Sequence, residues 1–384
     1  ELLRFCLHYN KTLTTFVVRV FFYPFTNMLD YLIVGSGLAG ISFAEIALKN
    51  NKSILIIDNK SQTSSRVAGG LYNPVILKRF SEVWNADEQL VLMDEFYNQI
   101  EDKLKTKFNF KLPILRKFFS IEEQNNWFAA SDKKNLTPFL STKIIFRKYT
   151  GIYSPYDYGE VLHTGYVDTV LLLDTYKEYL LENNLLLEEF FDSGYIEFFE
   201  DSIQYKNIQA KNIIFAEGFS LHKNPFFNYL PLDGTKGELF IIKAPKLDLD
   251  VIVNTSVFIL PLGGDLFKVG ATYNWQDKTD LPTEEGKKEL LERIKEILLC
   301  DFEIVKHFAG VRPTVKDRRP LIGTHCERKS LHILNGLGTR GVMLGPAMAK
   351  ALFDKIENKV SLSPEIDIKR FHKRYLKTLI LDRR

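Results

Sequence analysis

Cysteine is scarce in this chain: Cys6, Cys300 and Cys326 are the three in 384 residues, far apart and odd in number. That argues against a disulfide framework and leaves no C-x-x-C pair for a metal, and a reducing, cytoplasmic setting is the expectation. The seven histidines, among them His163, His222, His307, His325 and His332, lack metal-ligand spacing, so no metal is expected. No Ser/His/Asp arrangement is legible. Long hydrophobic runs are missing too. The apolar stretch from Phe16 to Phe25 is interrupted by Arg19 and limited by Pro24, far short of a membrane span and without a small-residue cleavage site. Charge of one sign is also lacking. A net charge of +3, with 45% hydrophobic and 26% charged residues, is that of an ordinary globular protein and does not by itself call for nucleic acid. There is no internal repeat and no low-complexity tract.

What is there begins at Tyr31. Four apolar residues, Tyr31 to Val34, read as a buried parallel strand, and Gly35-Ser-Gly37-Leu-Ala-Gly40 supplies a G-x-G-x-x-G turn. Ile41, Ala44, Ala47 and Leu48 then follow at helical spacing. Gly35 makes the tight turn, Gly37 admits a pyrophosphate close to the backbone, and Gly40 lets helix and strand pack closely. The helix start offers unpaired N–H groups and a positive dipole end to phosphates. A second apolar strand, Ser53-Ile-Leu-Ile-Ile-Asp58, ends in a carboxylate eighteen residues after Gly40, where it can accept hydrogen bonds from a ribose. The three features together specify an adenine-dinucleotide site. Met28 falls just ahead of this unit, so residues 1–27 read as an extension upstream of the native start, with a targeting or packing arm as the alternative.

The remaining chain alternates between two kinds of segment. Residues 61–74, with Ala68-Gly69-Gly70, read as a loop whose glycines let something approach the backbone. Residues 85–105 have helical apolar spacing, and 106–150 look like the start of a second, β-rich domain. Asp168 or Thr169 N-caps a helix running through Leu181, and short strand-like runs follow at 185–191, 195–199 and 203–209. The strand from Ile213 ends at Gly218, a turn and strand follow around Gly237, and 256–273 read as a hairpin around Gly263-Gly264. Residues 282–299 form an amphipathic helix, and Asn335-Gly-Leu-Gly338-Thr-Arg340-Gly341 is a second glycine-rich turn, entering a helix over 346–356.

These motifs, taken in order with Gly270-Ala-Thr272 and Gly310-Val-Arg312-Pro313, resemble the D-amino-acid-oxidase-like flavoproteins. That superfamily includes glycine oxidase, sarcosine oxidase and the oxidase half of the bifunctional tRNA wobble-uridine modification enzyme. The resemblance runs from Met28 to the Asn358 region. It implies an α/β fold: a Rossmann-like FAD-binding domain (28–90, 151–222 and 305–360) with an interleaved antiparallel-sheet, α+β substrate domain (91–150 and 223–304). A basic tail, 361–384, lies outside it.

It further implies non-covalent FAD, held by Gly35, Ser36, Gly37, Leu38, Ala39, Gly40 and Asp58 and by the loop residues Ser65, Arg66, Ala68, Gly69 and Gly70. Gly218 and the turn residues Gly336, Gly338, Thr339, Arg340 and Gly341 complete that set. The implied reaction oxidises a C–N bond of a small amino acid or N-substituted glycine by hydride delivery to flavin N5, with O2 or another acceptor taking the electrons. The expected catalytic residues are Arg312, Arg340, Tyr273 and Lys268. Arg312 occupies the arginine of a G-L-R-P-like motif and would clamp the substrate carboxylate, unless it is an ion-pair partner of Asp317. Arg340 would contact flavin or substrate. Lys268 resembles the sarcosine-oxidase lysine that promotes reaction with oxygen; a strand lysine directed to solvent is the alternative.

The sequence also departs from the glycine-oxidase pattern. Phe258-Ile-Leu-Pro261-Leu262 lacks both a tyrosine and an arginine, although Tyr273 offers a hydroxyl nearby. Two other readings stay open. One is deglycination of a modified tRNA wobble uridine, for which the run from Lys369 to Lys377 would contact phosphates. The other is a flavin-binding protein without turnover.

Overall fold

The computed structural model describes residues 28–61 and 63–381; the expected extension 1–27 lies outside them. Strand Leu29–Val34 is the centre of a parallel sheet because all its residues but Asp30 are apolar, and those five are buried. It pairs in parallel with Ile54–Ile57 on one side and Ile208–Phe215 on the other. Leu186–Leu187 extends the sheet beyond Ile54–Ile57, and Leu331–Asn335 lies beyond Ile208–Phe215. The order is that of a dinucleotide-binding sheet, with the ligand crevice at the carboxyl ends of the strands.

Helix Leu38–Lys49 follows the glycine turn and crosses helix Gly341–Glu357 closely. Small residues allow it: a Cβ on Gly345 would stand 2.9 Å from Ser42 Oγ, and one on Gly341 would stand 3.1 Å from Leu38 Cδ1. The second helix starts five residues earlier than the sequence suggests and carries Pro346 inside it. Pro346 has no N–H for the Val342 carbonyl. The buried hydroxyl of Tyr97 donates to that carbonyl instead, at 2.9 Å.

The second large sheet runs in the order Glu303–Arg312, Thr235–Lys243, Leu266–Gly270, Phe258–Gly263, Ile252–Asn254, Ile114–Lys117, Tyr158–Val161, Leu140–Ile145. All neighbours are antiparallel except Ile252–Asn254 with Ile114–Lys117. Strands Tyr158–Val161 and Glu303–Arg312 therefore lie in this sheet, although the segments expected for the first domain contain the former and all of the latter from residue 305 onward. Pairing partners far away in sequence decide their place, and local composition does not register those. Helix Glu284–Lys295 covers one face through Leu290 and Ile294, which pack with Phe240 and Val269. The other face looks toward the parallel sheet.

Three local readings change. Residues 61–74 hold a one-turn helix, Ser64–Val67, and a short strand, Leu71–Tyr72, rather than loop alone. Helix Ile121–Ser131 lies inside the stretch read as β-rich. Its signal was Ser120-x-x-Glu123: the Ser120 hydroxyl accepts from the Glu123 N–H at 3.1 Å, while the Glu123 carboxylate accepts from the Phe119 N–H at 2.8 Å. The run 203–209 is strand-like as read but is broken by a two-residue turn, Lys206-Asn207, between antiparallel strands Ile203–Tyr205 and Ile208–Phe215. Of the basic tail, residues 372–381 are helical, and Arg370 just before them bonds Asp317 and the Pro320 carbonyl.

Candidate active site

A cavity of about 1160 Å³ runs between the two sheets. Its first wall is the glycine turn. Gly35 has a φ of +102°, and a Cβ there would stand 2.5 Å from the Ala216 carbonyl oxygen. A Cβ on Gly40 would fall 1.8 Å from the Gly35 carbonyl oxygen, so this residue packs helix on turn behind the wall. Gly37, Leu38 and Ala39 face the cavity at the helix start. Asp58 stands at the end of its strand and accepts from the Ser36 hydroxyl at 2.8 Å and from the backbone N–H groups of Ser36 and Lys60. The Leu38 N–H donates to Ser65 Oγ at 3.2 Å, which brings the loop after Asp58 across the turn.

Farther along, Ala68, Gly69 and Gly70 form the floor. Gly70 has a φ of +75°, and a Cβ there would meet the Val167 carbonyl oxygen at 2.0 Å. The ring of Phe258 lies against Gly69, whose Cβ would be 2.7 Å from Phe258 Cζ. The position that lacks the family tyrosine is thus filled by an apolar ring on the loop. Gly336, Gly338, Thr339, Arg340 and Gly341 close the opposite side, with Gly218 beside them. Asn335 joins the two: its Nδ2 donates to the Gly218 carbonyl at 2.9 Å and its Oδ1 accepts from the Gly336 N–H at 2.7 Å.

Not every expected residue faces the cavity. Ser36 is turned to Asp58, and Gly40 is behind the turn. Arg66 points away and grips Asp174 with both guanidinium nitrogens, at 2.5 and 3.1 Å.

The third wall belongs to the antiparallel sheet. Arg312 ends strand Glu303–Arg312, opposite Thr235 and beside Gly237, where any Cβ would collide with the guanidinium. Nη1 donates to the Thr272 carbonyl at 3.3 Å, and the guanidinium carbon is 4.6 Å from the centre of the Tyr273 ring. Among the described residues no carboxylate pairs with Arg312. Asp317, the partner considered from sequence, pairs with Arg370 instead, at 3.0 Å. Burial lowers the Arg312 pKa from its usual value, with Tyr273 acting the other way. Arg340 is likewise lowered by burial and makes no side-chain ion pair among the described residues. Two guanidiniums withdrawn from water without anions make a site that attracts one.

Lys268 is not a solvent-facing strand lysine. Its Nζ lies 3.4 Å from the Ala68 carbonyl oxygen, behind the cavity floor, and burial lowers its pKa. Glu217, unnoticed in the sequence, lines the cavity at the end of strand Ile208–Phe215. Burial pushes its carboxyl up to about 7, although Asn224 Nδ2 donates to it at 2.7 Å. A glutamate closing a buried apolar strand, with no basic neighbour in sequence, was the available signal.

The geometry fits FAD: a helix start and glycine turn for a diphosphate, a carboxylate for a ribose, and a glycine-walled slot leading to the second sheet. Among the described residues no group of His, Cys, Asp and Glu is placed to hold a metal ion, and no helix is long and apolar enough to cross a membrane.

Comparison with known proteins agrees. Residues 30–355 match the family described as FAD dependent oxidoreductase. Glycine oxidase of Bacillus subtilis (strain 168) is 22% identical over 357 residues, covering 86% of this chain and 93% of that protein. The tRNA 5-methylaminomethyl-2-thiouridine biosynthesis bifunctional protein MnmC of Campylobacter concisus (strain 13826) is 23% identical over 310 residues; the match spans 76% of this chain and 46% of that protein. The crystal structure of glycine oxidase from Bacillus cereus ATCC 14579 shares the fold, with a TM-score of 0.74 at 20% identity, over 88% of this chain and 99% of that one.

Proposed function

The chain belongs to the FAD dependent oxidoreductase family, and from that premise we propose that it oxidises the C–N bond of a small amino acid or N-substituted glycine. The observation that carries this reading is Arg312: a guanidinium held in the cavity wall with one carbonyl at 3.3 Å and no carboxylate partner among the described residues. A substrate carboxylate answers it with two parallel hydrogen bonds. The Tyr273 ring against the guanidinium fixes its plane, and Arg340 adds positive charge from the facing turn.

FAD, when bound, supplies the two-electron acceptor for a hydride from the substrate carbon. The chain's own groups bind and orient. Arg312 places the carboxylate, Phe258 and the glycine floor keep water from the reacting carbon, and the substrate amine enters neutral, so no strong base is required. The nitrogen gives its proton to water, and the imine is hydrolysed to a carbonyl and an amine. Lys268 behind the floor is the cation best placed to favour charge developing on O2.

A second reading rests on the length of the cavity. It continues past Arg312 to Lys78, Arg116 and Phe119. Arg312 and Arg116 lie on the first and sixth strands of the sheet, five interstrand steps or roughly 24 Å apart. A longer amine, such as a carboxymethylaminomethyl-uridine in tRNA, would use that length.

The test is anaerobic titration of the FAD-loaded protein with glycine, sarcosine, D-alanine, D-proline and their N-alkyl relatives. Loss of oxidised-flavin absorption with one of them is the expected result. Loss only with tRNA carrying the modified uridine would transfer the assignment to the second reading, and loss with neither would refute both.

A further inference from the structure

Residues 271–283 leave strand Leu266–Gly270 on the cavity face and return on the reverse face to helix Glu284–Lys295. The outgoing half carries Thr272, whose carbonyl accepts from Arg312, then Tyr273 and Trp275, both of which line the cavity mouth. The two aromatics are 57% and 50% exposed, so packing does not hold them. Something else must.

Strand Thr235–Lys243 supplies it. Thr235, Gly237 and Leu239 face the cavity, and the alternation of a strand puts Lys236 and Glu238 on the reverse face. Lys236 is fully buried. Its ammonium donates to Asp277 Oδ2 at 2.5 Å, to Thr279 Oγ1 at 3.2 Å and to the Leu281 carbonyl, all within the returning half. The backbone of Lys236 exchanges two hydrogen bonds of 2.9 Å with Asn274, between the two aromatics. Glu238 completes the fastening by accepting from the Thr283 N–H at 3.0 Å and the Thr283 hydroxyl at 2.7 Å. An ammonium taken wholly out of water is costly unless its hydrogen bonds are met, so these contacts must close together. Asp277 reflects this: the bond from Lys236 holds its carboxyl down at about 2.

We propose that Lys236 is a positioning residue for the guanidinium site. From the reverse face of its strand it ties down the 271–283 segment and so holds Thr272, Tyr273 and Trp275 beside Arg312. This rests on the reading of Arg312 as a carboxylate clamp.

The test uses the FAD-loaded protein with Lys236→Met and Asp277→Asn, the latter removing the carboxylate charge that meets the buried ammonium while leaving Lys236 in place. Hydrogen exchange is followed over 271–283, glycolate binding is read from the flavin visible spectrum, and FAD affinity is measured in parallel. Exchange in 271–283 should quicken about tenfold and glycolate should bind about tenfold more weakly, with FAD affinity within twofold of the parent. Unchanged exchange and glycolate binding in Asp277→Asn would overturn the proposal even if Lys236→Met fails to fold. Equal losses of glycolate and FAD binding would overturn it in favour of a general structural role. If Arg312→Met abolishes glycolate binding while the Lys236 and Asp277 variants bind as the parent does, only this inference fails. A parent that does not bind glycolate refutes the clamp itself and with it the site Lys236 would serve.

Discussion

On the parallel-sheet side of the cavity, binding groups are supplied by backbone geometry and are already matched to one another: Asp58 to Ser36 and Lys60, Leu38 to Ser65. On the antiparallel side the binding group is a side chain left without a counter-charge: Arg312 has one carbonyl and no carboxylate partner among the described residues. The first wall is complete before any ligand arrives. On the proposed reading, the guanidinium wall is completed by a substrate carboxylate, so that the molecule holds its cofactor by shape and selects its substrate by charge.

Changes on the two sides should therefore differ in kind. The largest effect is expected from Gly40→Ala, because the new Cβ would fall 1.8 Å from the Gly35 carbonyl oxygen with only backbone available to move. A loss of at least about 3 kcal/mol and of FAD retention is expected, read by urea unfolding and by bound flavin. Full FAD loading in that variant would break the claim that glycines shape the first wall.

Glu217 sharpens the contrast, since it is a carboxyl on the cofactor side that pairs with no cation among the described residues. Below its ordinary value of 4.5, folded and unfolded states are both protonated and Glu217 costs nothing. As pH rises from there through about 7, the unfolded chain ionises first and the folded state is progressively disfavoured. Glu217→Gln removes that term. The apoprotein variant should match its parent near pH 4.5 and exceed it by on the order of 3 kcal/mol at pH 8. Parallel stability curves would refute the buried, unpaired carboxyl.

Lys268→Met should slow reoxidation of the reduced flavin by O2 about tenfold or more, roughly 1.4 kcal/mol per factor of ten, and leave flavin reduction by substrate intact. Stopped-flow rates that coincide with the parent in both half-reactions would remove Lys268 from the chemistry. The smallest effect belongs to Arg66→Ala. Its pair with Asp174 is half exposed, so less than about 1 kcal/mol and an unchanged FAD affinity are expected. A tenfold loss of FAD affinity would return Arg66 to the cofactor.

The same contrast explains what the sequence discloses. Gly35, Gly37, Gly40 and Asp58 are legible because a backbone-built site needs fixed spacing within one βαβ unit. Arg312 was legible only through its motif, and its environment was not. The nearest carboxylate in sequence, Asp317, is taken by Arg370, some fifty residues away, and the guanidinium is held instead by Thr272 and Tyr273 from the segment after strand Leu266–Gly270. Glu217 and Lys236 escaped notice for the same reason: their meaning lies in burial and in partners brought together by sheet pairing. Arg66 was misplaced because loop composition does not tell which way a side chain turns.

The central claim is that an anion clamp faces the cofactor across the cavity. It is tested most directly by titrating glycolate into the FAD-loaded parent and into Arg312→Met, following the flavin visible spectrum. A saturable spectral change is expected in the parent, and in Arg312→Met at least about a hundredfold weaker binding, about 3 kcal/mol, with FAD still fully bound. Equal glycolate affinity in the two proteins would contradict it.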